Sequence, residues 1–185
     1  TIISEENLRL KRQVESVLQV SQIDSHKIVL NNTEVDIHEL IENLSKNMEP
    51  RLSELDGKIK LHLNARKHIV IGDEVHLTNI LYNLVDNAIK YCDKIPEIII
   101  TTQYKHKGIE IAVKDNGKGI EKSSHNMIFE KFFRVPNGDI HDVKGFGLGL
   151  FYVKNMIKLH KGKIAVHSIP KEGTTFTIWL HTKEK

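Results

Sequence analysis

From Glu74 to Tyr91 the apolar residues fall at Leu77, Ile80, Leu81, Leu84, Val85 and Ala88, the spacing of a helix with one buried stripe. The same spacing recurs at Ile37, Leu40, Ile41, Leu44 and Met48, where Asp36 and Glu39 read as a capping box and Pro50 as the stop. A third periodic stretch, 147 to 160, opens on glycines and continues through Phe151, Val153, Met156, Ile157 and Leu159. Near the start, Ile3, Leu10, Val14 and Val17 form a narrower stripe over residues 3 to about 23, opposite Glu5, Glu6, Arg9, Lys11 and Arg12. A lone helix with so thin a stripe is marginal in water, so it wants a partner. That partner is a bundle or intermolecular seam, or the helix folds back on its own domain.

Elsewhere the pattern shortens to alternation or to unbroken apolar runs. Strands are expected at 27–35, 58–64, 68–72, 96–104, 108–115, 162–169 and 173–180. The fourth and fifth read as an antiparallel pair around a turn at Lys107 and Gly108. Residues 120 to 144 show no sustained period. Strands bracketing helices without a βαβ rhythm predict an α+β two-layer sandwich, with a mixed sheet and helices on one face.

Composition removes several function classes. The chain has 185 residues, enough for one compact domain and a small appendage. A net charge of +3, with no basic block, gives no case for nucleic acid binding. Cys92 is the single cysteine, so an internal disulfide and a cysteine-rich zinc site are both excluded. No apolar run approaches the roughly 18 residues of a membrane span. The chain begins at Thr1 without an initiator Met, as an excised piece does, so the lack of a signal or membrane segment here says nothing about the parent protein.

Asn83, Asn87 and Lys90 share one edge of the long helix, beside its apolar stripe. Asn is a mediocre helix former, so two stacked there are either solvated flank residues or chemistry. An amide oxygen can ligate Mg²⁺ without adding charge beside a polyphosphate, and a lysine supplies a point charge to phosphates. Asp115-Asn116-Gly117-Lys118-Gly119 ends a strand. It reads as a hairpin turn, or as a loop whose glycines admit a flat ring while Asp115 accepts a hydrogen bond from an exocyclic amine. The glycines of 145–150 open a helix, a natural phosphate site. They fit neither the dinucleotide fingerprint nor a P-loop. Phe129, Phe132 and Phe133 either dock a loop or belong to a functional lid, with Arg134 following.

In order, NLVDNAIKY (83–91), DNGKGI (115–120), FEKFFR (129–134), GFGLGL (145–150) and GTTF (173–176) resemble the N, first glycine, F, second glycine and third glycine boxes of sensor histidine kinases. The resemblance covers 28 to 185 as a catalytic ATP-binding domain. Residues 1 to 27 resemble the second helix of the family's dimerisation and phosphoacceptor region. It implies the Bergerat fold, with Mg²⁺ on Asn87, Asn83 in support, and Lys90 and Arg134 at the phosphates. Asp115 would take the adenine amine, Gly117 and Gly119 would shape the ring pocket, Tyr91 would stack near the adenine, and Ile120, Phe132 and Thr174 would also bind the nucleotide. Gly145, Gly147, Leu148 and Gly149 would cradle the phosphates, under a lid of residues 121 to 144. The implied chemistry passes the ATP γ-phosphoryl group to a histidine, then to an aspartate of a response-regulator receiver domain. The implied parent is a homodimeric, membrane-anchored sensor with this domain in the cytoplasm.

One departure stands out: the family's acceptor histidine, followed by an acid and then a proline, is missing from this sequence. His38-Glu39 falls inside the domain's own first helix, with no proline at the right distance. Two alternatives remain: another enzyme of the same fold, either an ATPase or a serine kinase, and a nucleotide-sensing scaffold without kinase activity.

Overall fold

The computed structural model describes residues 23, 28–135 and 146–183. Apart from Ile23, the N-terminal amphipathic stretch lies outside the described residues, as do Gly145 and residues 136–144 of the expected lid.

In chain order the elements are β1 (Thr33–Asp36), α1 (Ile37–Ser53), β2 (Lys58–Leu63), β3 (Ile69–Gly72), α2 (Glu74–Lys90), β4 (Glu97–Lys105) and β5 (Gly108–Asp115). After two short 3₁₀ turns, Lys122–Ser124 and Met127–Phe129, come α3 (Gly149–Leu159), β6 (Lys163–Ile169) and β7 (Gly173–His181). Five strands form one sheet in the order β2-β4-β5-β7-β6. Only β2 and β4 pair in parallel, so the sheet is mixed as expected. β1 and β3 make a separate antiparallel pair, tied to the end of β7 by a bridge between Val70 and Thr182.

Alternation along the central strands fixes the layers. Ile98 and Ile100 on β4, Ile109, Ile111 and Val113 on β5, and Phe176, Ile178 and Leu180 on β7 are buried. Their neighbours Thr101, Ala112 and Thr177 are only half-buried on the opposite face. Ile41 and Leu44 of α1, Leu81 and Val85 of α2, and Val153 and Met156 of α3 close the same core.

Three details differ from the reading of the sequence. The helix α1 runs through Pro50 to Ser53 rather than stopping before the proline. Leu52, 2% exposed, is part of the core, and its burial offsets the hydrogen bond that Pro50 cannot donate. The first strand is confined to 33–36: Val29 is 90% exposed, and the Asn31 N–H donates to the Asp73 carboxylate rather than to a neighbouring strand. The β4–β5 turn sits one residue earlier than read, on His106 and Lys107, both left-handed with φ of 52° and 59°. Gly108 instead starts β5, where a Cβ would lie 2.4 Å from the Leu180 carbonyl oxygen.

Candidate nucleotide site

Asp115 ends β5, and no strand continues from it, so the Asn116-Gly117 pair is a loop and not a hairpin turn. Asp115 is buried, with 8% of its surface exposed. Oδ1 accepts the N–H of Gly117 at 2.8 Å and that of Thr174, on β7, at 3.1 Å. Among the described residues no donor reaches Oδ2, so the second oxygen is free for a ligand. Burial pushes the carboxyl above the ordinary aspartate value, while the two backbone N–H groups pull it back.

The loop around that carboxylate is shaped by backbone approach. Gly119 has φ +69°, and a Cβ there would sit 2.1 Å from the Ile169 carbonyl oxygen. At Gly173, with φ +126°, it would meet the Asp115 carbonyl oxygen at the same distance. Lys118 N–H donates to the Tyr91 carbonyl at 3.0 Å, which ties the loop to the end of α2. Ser168 on β6 is the hub beneath: its Oγ accepts from Ile120 N–H at 2.8 Å and donates to the Gly173 carbonyl at 2.9 Å. Its single proton is thereby used, so the 2.8 Å contact with Thr174 Oγ1 has Thr174 donating. The Thr174 hydroxyl therefore turns inward, and its backbone N–H is what faces Asp115. Asn116 laces the loop to residues 95 and 97, accepting from Glu97 N–H and donating to the Ile95 carbonyl.

On α2, Asn83 donates its amide to the Asn79 carbonyl at 2.8 Å, so its Oδ1 faces Gly149, where a Cβ would lie 2.6 Å away. The α2 edge and the start of α3 are thus in direct contact through Asn83 and Gly149. Asn87 is half-buried, and its side-chain amide makes no hydrogen bond among the described residues. Lys90 is engaged, with its ammonium 2.5 Å from Asp86 Oδ2. α3 begins at Gly149 behind a buried Leu148 that offers no side-chain cap, so the first N–H groups of the helix lack an internal partner. The glycine helix starts two residues later than read, because Gly147 is left-handed at φ +70°.

The F-box residues separate into two groups. Phe129 is buried edge-on to Phe176, 6.3 Å between centroids, and with Ile128 it docks the 3₁₀ turn on the core. Phe132 is 64% exposed in a left-handed conformation, and its N–H donates to the Gly147 carbonyl at 3.1 Å. The phenylalanine segment and the second glycine cluster are therefore physically joined. Arg134 lies exposed beyond it, and Tyr91 is 42% exposed at the C-cap of α2.

Several histidines outside the motifs have defined partners. His38 and His68 stack with centroids 4.2 Å apart, and His76 Nδ1 lies 2.7 Å from the buried Tyr152 hydroxyl, whose pKa burial pushes up to about 12. His160 accepts the Asp73 N–H at Nε2 and meets the Met156 carbonyl through Nδ1.

Fold and geometry together define a class: an α/β sandwich in which the end of α2 is tied to the Asp115 loop through Tyr91 and meets the start of α3 through Asn83 and Gly149. The chain belongs to the histidine kinase-, DNA gyrase B- and HSP90-like ATPase family, whose model matches residues 72–184. It is 41% identical over 181 residues to the sensor protein RprX of Bacteroides fragilis, a match covering 97% of this chain and 35% of that protein. The chain thus spans about a third of that relative's length. Its fold is that of full-length ShkA in complex with AMPPNP, with a TM-score of 0.84 at 24% identity over 98% of this chain and 38% of that one. Histidine kinase ThkA in complex with response regulator protein TrrA is also similar, with a TM-score of 0.74 at 23% identity over 98% of this chain and 50% of that one. Among the described residues no helix is long and apolar enough to cross a membrane, and no cluster of His, Cys, Asp and Glu could hold a metal.

Proposed function

We propose that this chain is the ATP-binding catalytic part of a sensor histidine kinase, the donor half of a phosphoryl transfer to a histidine and onward to a response-regulator aspartate. Family membership supports ATP as the nucleotide. The observation that carries the base assignment is the divided carboxylate of Asp115, with Oδ1 locked by two backbone N–H groups and Oδ2 open. An exocyclic amine satisfies Oδ2, whereas the carbonyl that guanine presents at that position repels it.

The remaining roles follow from the resemblance of the motifs in the sequence. Tyr91, Gly117, Gly119, Ile120, Phe132 and Thr174 surround the base. Gly145, Gly147, Leu148 and Gly149 bring the uncapped start of α3 to the phosphates, where N–H groups and the helix dipole favour anions. Asn87 would hold Mg²⁺ through its uncommitted amide oxygen, and the lone neutral donor suits an ion whose other ligands are phosphate oxygens and water. When bound there, Mg²⁺ would supply charge neutralisation to the phosphates. Asn83 supports that edge against Gly149, and Lys90 and Arg134 supply positive charge. Residues 121 to 144 act as a lid. Residues 1 to 27 belong to the dimerisation region of a membrane-anchored homodimeric parent, and this domain works in the cytoplasm. The partners are the parent's phosphoacceptor helix and a receiver domain; the complex of ThkA with TrrA supports that reading.

Calorimetric titration tests the base assignment. MgATP should bind in preference to MgGTP, and Asp115→Asn should cost about 1–3 kcal/mol of ATP affinity. Equal affinities for the two nucleotides would remove Asp115 from the base pocket.

A further inference from the structure

Asp86 stands directly before Asn87 on α2, with 13% of its side chain exposed. Each of its oxygens is taken by a different cation. Oδ1 accepts from Arg51 Nη1, on α1, at 2.6 Å, and Oδ2 holds the Lys90 ammonium at 2.5 Å. Helical side chains lean toward the helix N-terminus, so Lys90 lies back over the turn that carries Asp86 and Asn87.

The two cations are not equivalent. Arg51 is a planar donor arriving from another helix, while Lys90 carries its charge on a flexible four-carbon stem along the Asn83–Asn87 edge. A largely buried carboxylate deprived of its only partner is costly, but this one has a second. Lys90 can leave Asp86 without stranding it. An ordinary i,i+4 surface pair would need no Arg51, and would change nothing elsewhere.

We propose that Lys90 is a transferable counter-ion, held on Asp86 while the site is empty and passed to the phosphates when nucleotide enters, with Arg51 as the standing partner. Asp86 and Arg51 are then positioning residues that act through Lys90. The inference rests on the phosphate-facing role of Lys90 given above.

Opposite signs follow. Asp86→Asn releases Lys90 in the empty protein, so MgATP should bind about threefold tighter, the scale of a partly exposed ion pair. Arg51→Met leaves Asp86 dependent on Lys90, so MgATP should bind about threefold weaker. In a Lys90→Met background both effects should vanish, because the lysine that links them is gone. Titration calorimetry on the chain with each single and double variant reads this, with circular dichroism confirming the fold. A same-direction change in both variants, or shifts that persist without Lys90, would overturn the proposal in favour of a structural or through-space role. A second reading uses no variant: the Lys90 side-chain NMR signal of the native chain should move on adding MgATP. A stationary signal in a protein that binds MgATP would refute the transfer alone. Failure of the native chain to bind MgATP would sink the nucleotide reading, and this inference with it.

Discussion

Ser168→Ala removes one hydroxyl and disturbs three hydrogen bonds at once. In the native chain Ser168 Oγ accepts from Ile120 N–H at 2.8 Å and from the Thr174 hydroxyl at 2.8 Å, and donates to the Gly173 carbonyl at 2.9 Å. Ser168 and Thr174 are both buried, at 8% and 6% exposure, so water cannot freely replace the lost partner. Leaving a buried polar group unpaired costs about 1–3 kcal/mol. The Thr174 hydroxyl can rotate toward the Gly173 carbonyl, and Ile120 N–H lies nearer the surface, so the three losses do not add fully. A net destabilisation of about 2–3 kcal/mol follows. Function should suffer through the same atoms, because Thr174 N–H and the Gly119–Ile120 loop hold Asp115 and the ring pocket in shape. Urea unfolding followed by circular dichroism gives the stability, and calorimetry gives MgATP affinity. A loss below about 0.5 kcal/mol would show that Ser168 is a bystander, since surface substitutions fall in that range.

Gly119→Ala should cost about 2 kcal/mol or more and weaken ATP binding, since it combines a left-handed φ with a 2.1 Å clash against the Ile169 carbonyl oxygen; a thermal melt superimposable on the native one would contradict that. A pH effect follows from His160 and His38, whose pKa values burial holds below 6.5. The unfolded chain binds more protons there, so stability fully present above pH 6.5 is lost progressively as pH falls from that value through the lower folded pKa. Urea midpoints should drop between pH 7.5 and pH 5.5, and His160→Gln should flatten the slope; parallel slopes would refute the role of His160.

Periodicity made the helices and strands legible because each has a single buried face, and the period of that face is written in the residues. The β5 strand from Gly108 to Asp115 and the buried stripe of α2 are such cases. Tertiary compensation was not legible. Pro50 stays inside α1 because Leu52 is buried, which depends on elements distant in sequence. Candidate site residues stood out in the sequence where a glycine cluster or an amide breaks the local pattern, as at Gly119, Gly147 and Asn87. Ser168 carried no such mark: a serine in an alternating strand is unremarkable until β6 brings it beneath the Asp115 loop. Asp86 was hidden likewise, because its second partner, Arg51, comes from α1, 35 residues away in sequence.

Phosphoryl transfer to a separate acceptor tests the central claim most directly. The chain is incubated with γ-labelled ATP and Mg²⁺, together with a two-helix piece of the proposed parent sensor that carries the acceptor histidine. Acid-labile phosphohistidine should form on that piece and not on the chain itself. The rate should be low, because mixing does not supply the effective concentration of a tether. Asn87→Ala should abolish transfer while leaving the fold intact. Release of inorganic phosphate with no phosphohistidine on the acceptor would instead make the protein an ATPase of the same fold, and label on one of its own histidines would show that the acceptor lies within this chain.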